Sequence, residues 1–152
     1  MPRLLVFLFA WVLLASPSIG KEKPLPQIYD QKADGTVQIS QALARAKQEN
    51  KHVLIDFGAN WCAPCHELHA VIAADPAIRE KLAASFVIVM IDSDRGRNED
   101  VIRRYGTPTL RGLPVLAVLD PAGNHIFTQE TTALREGEKF APPKVLAFLN
   151  KW

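Results

Sequence analysis

The chain has 152 residues, with 18 Lys and Arg against 16 Asp and Glu and a net charge of +2. That balance offers no basic surface for nucleic acid and no acidic tail of the disordered kind. Its two cysteines, Cys62 and Cys65, sit so close together that they would make a poor structural staple, so the fold must rest on a hydrophobic core.

Met1-Pro2-Arg3 is a positive start, and Leu4 to Ala15 follows without one polar side chain. Ser18 and Gly20 are small residues at the −3 and −1 positions of a cut after Gly20. Residues 1–20 therefore read as a secretory signal peptide. The apolar run is shorter than the roughly 20 residues of a membrane-spanning helix; an uncleaved N-terminal anchor is the alternative. An exported, periplasmic protein is expected. Residues 21–36, opening on the proline-containing Lys21 to Gln27, read as a spacer, and 37–152 as one domain.

Within that domain Ser40 can cap a helix through about Asn50, with Ala42, Leu43 and Ala46 as its apolar side. His52 to Gly58 is a short apolar run of the kind that forms a buried strand. Cys62-Ala63-Pro64-Cys65 comes directly after it, and Glu67 to Ala74 continues as a helix. Asp75-Pro76 caps and opens a further helix to about Ala84. Phe86 to Ile91 is a second buried strand, ending at Asp92. Asn98 caps a helix through Tyr105 that Gly106 stops. Pro114 to Leu119 is a third strand, and His125 to Gln129 returns from a turn at Asp120 to Asn124. Pro142 and Pro143 start a closing helix to Trp152, with Val145, Leu146, Phe148 and Leu149 as its buried stripe. The alternation implies an α/β fold, a central mixed sheet with helices on both faces.

A Cys-x-x-Cys pair permits dithiol/disulfide exchange, half a zinc site or, with the following His66, covalent haem attachment. Context weighs against haem: the preceding segment is a β-branched strand, and Met90, the only methionine beyond Met1, lies in another. Zinc fares no better. Cys62, Cys65, His66 and His69 share one helical face, but at 1.5 Å rise per residue positions 62 and 69 stand about 10 Å apart. His66 and His69 read as solvated residues near the site, His66 with a possible hand in stabilising a Cys62 thiolate. His52 and His125 read as structural.

Dithiol chemistry follows from position. Cys62 falls at a helix N-terminus, where unpaired N–H groups and the helix dipole favour a thiolate. It is the expected nucleophile, and Cys65, one turn on and more buried, the residue that resolves a mixed disulfide. Trp61 either packs beside the sulfurs or is an ordinary core aromatic. Asp56, a carboxylate inside an apolar strand, needs a partner or a task; a backbone hydrogen bond at a strand edge is its bland reading.

These residues resemble the thioredoxin-like family: Asp56-Phe57, Trp61-Cys62-Ala63-Pro64-Cys65, Tyr105-Gly106, Gly112-Leu113-Pro114 and the Asp120-Pro121-Ala122-Gly123 turn, over roughly residues 37–152. The resemblance implies a thioredoxin-like three-layer sandwich and a thiol–disulfide oxidoreductase. It places Asp56 beneath the second cysteine, managing its proton. Family members often add a Lys from the next strand, and Phe86 to Ile91 has none, which leaves Asp56 without that cation. The resemblance also implies a cis peptide before Pro114, with the backbone of Leu113 free to pair with substrate. Thr107 to Arg111 is an insert that either shapes substrate choice or forms a neutral loop. The Ala-Pro between the cysteines resembles reducing members more than strong oxidants. The expected partners are substrate proteins with thiols or disulfides, and a membrane thiol donor of electrons. The cysteine pair itself is the redox centre, with no bound cofactor and no metal. A non-catalytic binding module with a permanent disulfide is the alternative.

Overall fold

The apolar runs of the sequence line up as the centre of one sheet. The structure is a computed structural model that describes residues 25–106 and 108–152. The signal peptide read over 1–20 lies outside the described residues, and so does Thr107 of the insert. Among the described residues no helix is long and apolar enough to cross a membrane.

β1 (His52–Gly58) runs parallel to β2 (Phe86–Asp92) and antiparallel to β3 (Val115–Leu119), which pairs antiparallel with β4 (His125–Glu130). The order is β2-β1-β3-β4. β1 and β3 are central, and the β3 run is buried throughout, as a strand covered on both faces must be.

Alternation along β1 sorts its side chains between two cores. Val53, Ile55 and Phe57 join Ile39, Ala42 and Ala46 of α1 (Gly35–Glu49) and Val101 of α4 (Glu99–Arg104). Leu54 faces the other way, into Leu68 of α2 (Ala63–Ala74), Ile78 and Leu82 of α3 (Pro76–Ser85), and Val145, Phe148 and Leu149 of α5 (Pro142–Leu149). Each such buried aliphatic or phenylalanine contributes about 1.5–3 kcal/mol relative to exposure. The result is the expected three-layer sandwich. The same alternation turns Asp56 towards α2, an apolar setting that it must share with some partner.

Three details differ from expectation. α1 opens at Gly35 because the Asp34 carboxylate caps it, accepting from the N–H groups of Thr36 at 2.8 Å and Val37 at 3.2 Å. Ser40 lies inside the helix. Asn98 precedes α4 without capping it: its side-chain oxygen accepts from the Gly35 N–H at 2.8 Å, and its amide donates to the Asp92 carbonyl at 2.9 Å. It ties α1 to the end of β2 instead. A short hairpin, β5 (Arg135–Glu136) with β6 (Lys139–Phe140), lies between β4 and α5 where no element was expected. Glu67 of α2 accepts from the Phe140 N–H at 3.0 Å and holds that hairpin down.

Within the stretch read as a spacer, Tyr29 is only 1% exposed and Gly35 and Thr36 already belong to α1. Asn60 explains the anchoring. Its side-chain oxygen accepts from the N–H groups of Ile28 and Tyr29, at 2.8 and 2.9 Å, and its amide donates to the Tyr29 carbonyl at 2.8 Å.

Candidate active site

Pro64 fixes φ in the first turn of α2, where a missing N–H costs nothing, so the helix can start inside the cysteine motif. Cys62 is its N-cap, and the Cys65 N–H donates to the Cys62 sulfur at 3.2 Å. The two sulfurs are joined in a disulfide. Cys65 is fully buried and Cys62 is 2% exposed, so the order of burial is the expected one by a narrow margin. Tyr29 and Ala59 pack with both cysteines in one buried cluster, and Ile28, Met90 and Leu113 lie against it.

Asp56 sits below, 3% exposed, between Met90 of β2 and Leu116 of β3. It does not lack partners. The Tyr29 hydroxyl donates to Oδ1 at 3.1 Å, and Nε2 of His69 donates to Oδ2 at 2.8 Å. The partner that β2 does not supply thus comes from α2. His69 is no freely solvated surface residue: it lies one turn beyond Cys65, its side chain 20% exposed, its ring edge-on to Tyr29 with centroids 5.8 Å apart. Sequence reading passed over Tyr29, Asn60 and the inward role of His69. One signal was present: Cys65, Leu68, His69 and Ile72 follow the spacing of a helix's buried stripe.

Burial first, and then the Asp56 carboxylate, push the Tyr29 phenol far above its ordinary range. A raised acid favours its neutral form in the fold. Its stabilising contribution is therefore complete below the unfolded value of about 10 and is lost as pH rises beyond it. No tyrosinate absorbance from Tyr29 is expected near pH 10 while the fold persists, and alkaline unfolding should release it. A folded protein in which both tyrosines ionise near pH 10 would contradict this placement.

Trp61 is not a core aromatic. It is 64% exposed, and its indole N–H donates to Asp94 Oδ1 at 2.7 Å. Asp94 is steadied in turn by Arg97, which also meets the buried Asp92 at 3.0 Å. The Leu113–Pro114 peptide is cis, and the Pro114 carbonyl accepts from the Thr131 hydroxyl at 2.7 Å. The β1–β3 and β3–β4 ladders begin only at Val115, so Leu113 lies ahead of both. A surface pocket of about 210 Å³ lies between Pro64, Leu113, Pro114 and Thr131. The insert forms a 3-10 turn over Pro108–Arg111 with Leu110 on the surface, and Arg111 pairs with Glu130.

His66 is engaged by the loop before the cysteines, its Nε2 donating to the Asn60 carbonyl at 2.8 Å. Among the described residues no three His, Cys, Asp or Glu side chains group as metal ligands.

A buried disulfide at a helix N-terminus, after a strand in a mixed sheet and against the residue before a cis proline, points to one family, and the sequence profile described as thioredoxin-like matches residues 34–121. The chain belongs to the thioredoxin-like family. Its similarity to the disulphide isomerase from Xylella fastidiosa Temecula1 reaches 31% identity and a TM-score of 0.73, covering 84% of this chain and 95% of that one. The thiol:disulfide interchange protein DsbD of Vibrio vulnificus (strain CMCP6) is 32% identical over 103 residues. That match takes in 68% of this chain and spans only 17% of DsbD. The C-terminal domain of Neisseria meningitidis DsbD shares the fold, with a TM-score of 0.57 at 21% identity over 78% of this chain and 96% of that domain.

Proposed function

We propose that the chain is a periplasmic thiol–disulfide oxidoreductase acting on substrate proteins, chiefly as a reductase. The observation that carries this reading is the Cys62–Cys65 disulfide at the N-terminus of α2, clustered with Tyr29, whose hydroxyl donates to Asp56. In the reduced protein the Cys62 thiolate attacks a substrate disulfide and expels one substrate sulfur as a thiolate. Cys65 gives up its proton towards Asp56 and attacks the Cys62 sulfur. The enzyme disulfide closes and the second substrate sulfur leaves, so the substrate gains the two electrons that the dithiol loses. Leu113 and Pro114 offer the backbone edge and the neighbouring pocket for the substrate chain, with Trp61 flanking them. A membrane thiol donor resets the disulfide.

The similarity to a disulphide isomerase favours isomerisation as a second reading, in which Cys62 attacks and is displaced again by a substrate thiol. The reduction potential of the cysteine pair, titrated in thiol buffers with tryptophan fluorescence as the probe, tests direction. A value near about −270 mV is expected for a reductase, whereas one near about −120 mV would mark an oxidant and overturn the direction. A disulfide that does not exchange at all would leave only a binding module.

A further inference from the structure

Asp56 accepts one hydrogen bond on each oxygen, from side chains that belong to different parts of the chain. Tyr29 comes from the N-terminal segment clamped by Asn60, and His69 from α2. The two donors also meet each other, with the Tyr29 hydroxyl 3.5 Å from His69 Nε2. The carboxylate has 4% of its side chain exposed and the imidazole 20%, so His69 is the member of the trio that reaches water. His69 also stands four residues after Cys65 on one helix, about 6 Å along its axis. The ring of Tyr29 packs against both cysteines.

We propose that Tyr29 and His69 are the positioning residues of this site, holding the Asp56 carboxylate ready and passing the proton that Cys65 yields or recovers between Asp56 and solvent. The inference rests on the redox reading above and names how its buried proton travels. When Cys65 attacks the mixed disulfide, its S–H bond breaks and the proton goes to Asp56. The new S–S bond to Cys62 forms as the substrate thiolate leaves with the bonding electrons. Asp56 then hands the proton to Nε2 of an imidazole that carries its own proton on Nδ1, and the Nδ1 proton is lost to water at the exposed edge, which leaves Nε2–H donating to Oδ2 as in the disulfide form. During reduction of the disulfide the same steps run backwards. The groups facing His69 are Asp56 from β1 and Tyr29 from the N-terminal segment. His66 on the same helix is turned to the Asn60 carbonyl, and Asp92 at the end of β2, paired with Arg97, bears on Tyr29.

The test isolates the Cys65 step. The reduced protein, mixed with one equivalent of an aromatic disulfide that releases a coloured thiolate, should liberate a first thiolate as Cys62 is captured and a second as Cys65 closes the ring. The ratio of second-phase to first-phase rate is followed across pH 5 to 9 in the parent and in His69→Leu, His69→Gln and Tyr29→Phe. General acid–base assistance of this kind is worth at least about tenfold, so that ratio should fall about tenfold near pH 7 in both His69 variants. The acid limb of the profile should also move to higher pH. His69→Gln keeps a donor to Asp56 but cannot carry a proton, so it should not rescue the rate. Tyr29→Phe deletes one hydroxyl and should lower the ratio by a smaller factor; it and His69→Gln carry the test if His69→Leu fails to fold. Variants whose profiles superimpose on the parent, with only the melting temperature changed, would overturn the inference and leave the redox reading intact. A parent that never releases the second thiolate would overturn both.

Discussion

Replacing Cys62 by Ser is expected to lower disulfide exchange by at least about 10³-fold, the scale on which loss of a nucleophile acts. Replacing Cys65 by Ser is expected instead to leave capture intact and to trap substrate proteins as mixed disulfides on Cys62. The asymmetry follows from the helix. Cys62 is the N-cap of a 12-residue helix and receives the Cys65 N–H, so a thiolate there meets a backbone donor and the positive end of the dipole. Cys65 lies inside the first turn, wholly buried, and has only Cys62 within reach as a sulfur to attack. Mass spectrometry of non-reduced protein separates the two variants: a covalent adduct with Cys65→Ser and none with Cys62→Ser. Adducts appearing only with Cys62→Ser would reverse the two roles.

The strands and the cysteine motif were legible because their signals are local. β2 and β3 are apolar runs and β1 is one broken only by Asp56, and Cys62 announces itself by following β1. What failed was whatever depends on a distant partner. The start of α1 is the exception: the Asp34 carboxylate caps it through N–H groups only two and three residues on, but it lies in the stretch read as a spacer. Asn98 has the composition of a cap, but Gly35 and the Asp92 carbonyl claim its side chain. Two-residue strands such as β5 and β6 carry no periodicity at all. The site shows the same division. Cys62, Cys65 and Asp56 stood out as residue types in context, while the partners of Asp56 did not. Tyr29 lies 27 positions upstream, in a polar stretch with no pattern, and only Asn60 brings it in. His69 was visible as one turn beyond Cys65, but nothing in the sequence tells an inward imidazole from a solvated one until β1 is beneath it.

Gly58→Ala is expected to destabilise the fold by about 3 kcal/mol, far more than a surface glycine would, and to do so through Tyr29. The backbone of Gly58 is ordinary strand, so alanine is compatible with the chain path. Space is what it lacks. A Cβ there would stand 2.1 Å from the Tyr29 hydroxyl oxygen and 2.3 Å from Cζ, distances at which the ring must leave. The ring cannot slide, because Asn60 holds its backbone and Ala59 and the cysteines pack against it. Overpacking alone costs about 1–3 kcal/mol, and a displaced aromatic approaches the about 3–5 kcal/mol of a core truncation to alanine. Tyr29→Ala should cost that larger amount by itself, after which Gly58→Ala should add almost nothing, since the methyl then enters vacated space. Tyr29→Phe should not rescue, because Cζ remains in the way. Urea midpoints of the parent, both single variants and the double variant read this directly, and an equal cost of Gly58→Ala in both backgrounds would mean that Tyr29 does not occupy the site. The same displacement removes the donor to Asp56 Oδ1. Gly58→Ala protein that still folds should therefore slow ring closure by Cys65 at least as much as Tyr29→Phe does, which ties the missing side chain of one strand residue to the chemistry of the disulfide above it.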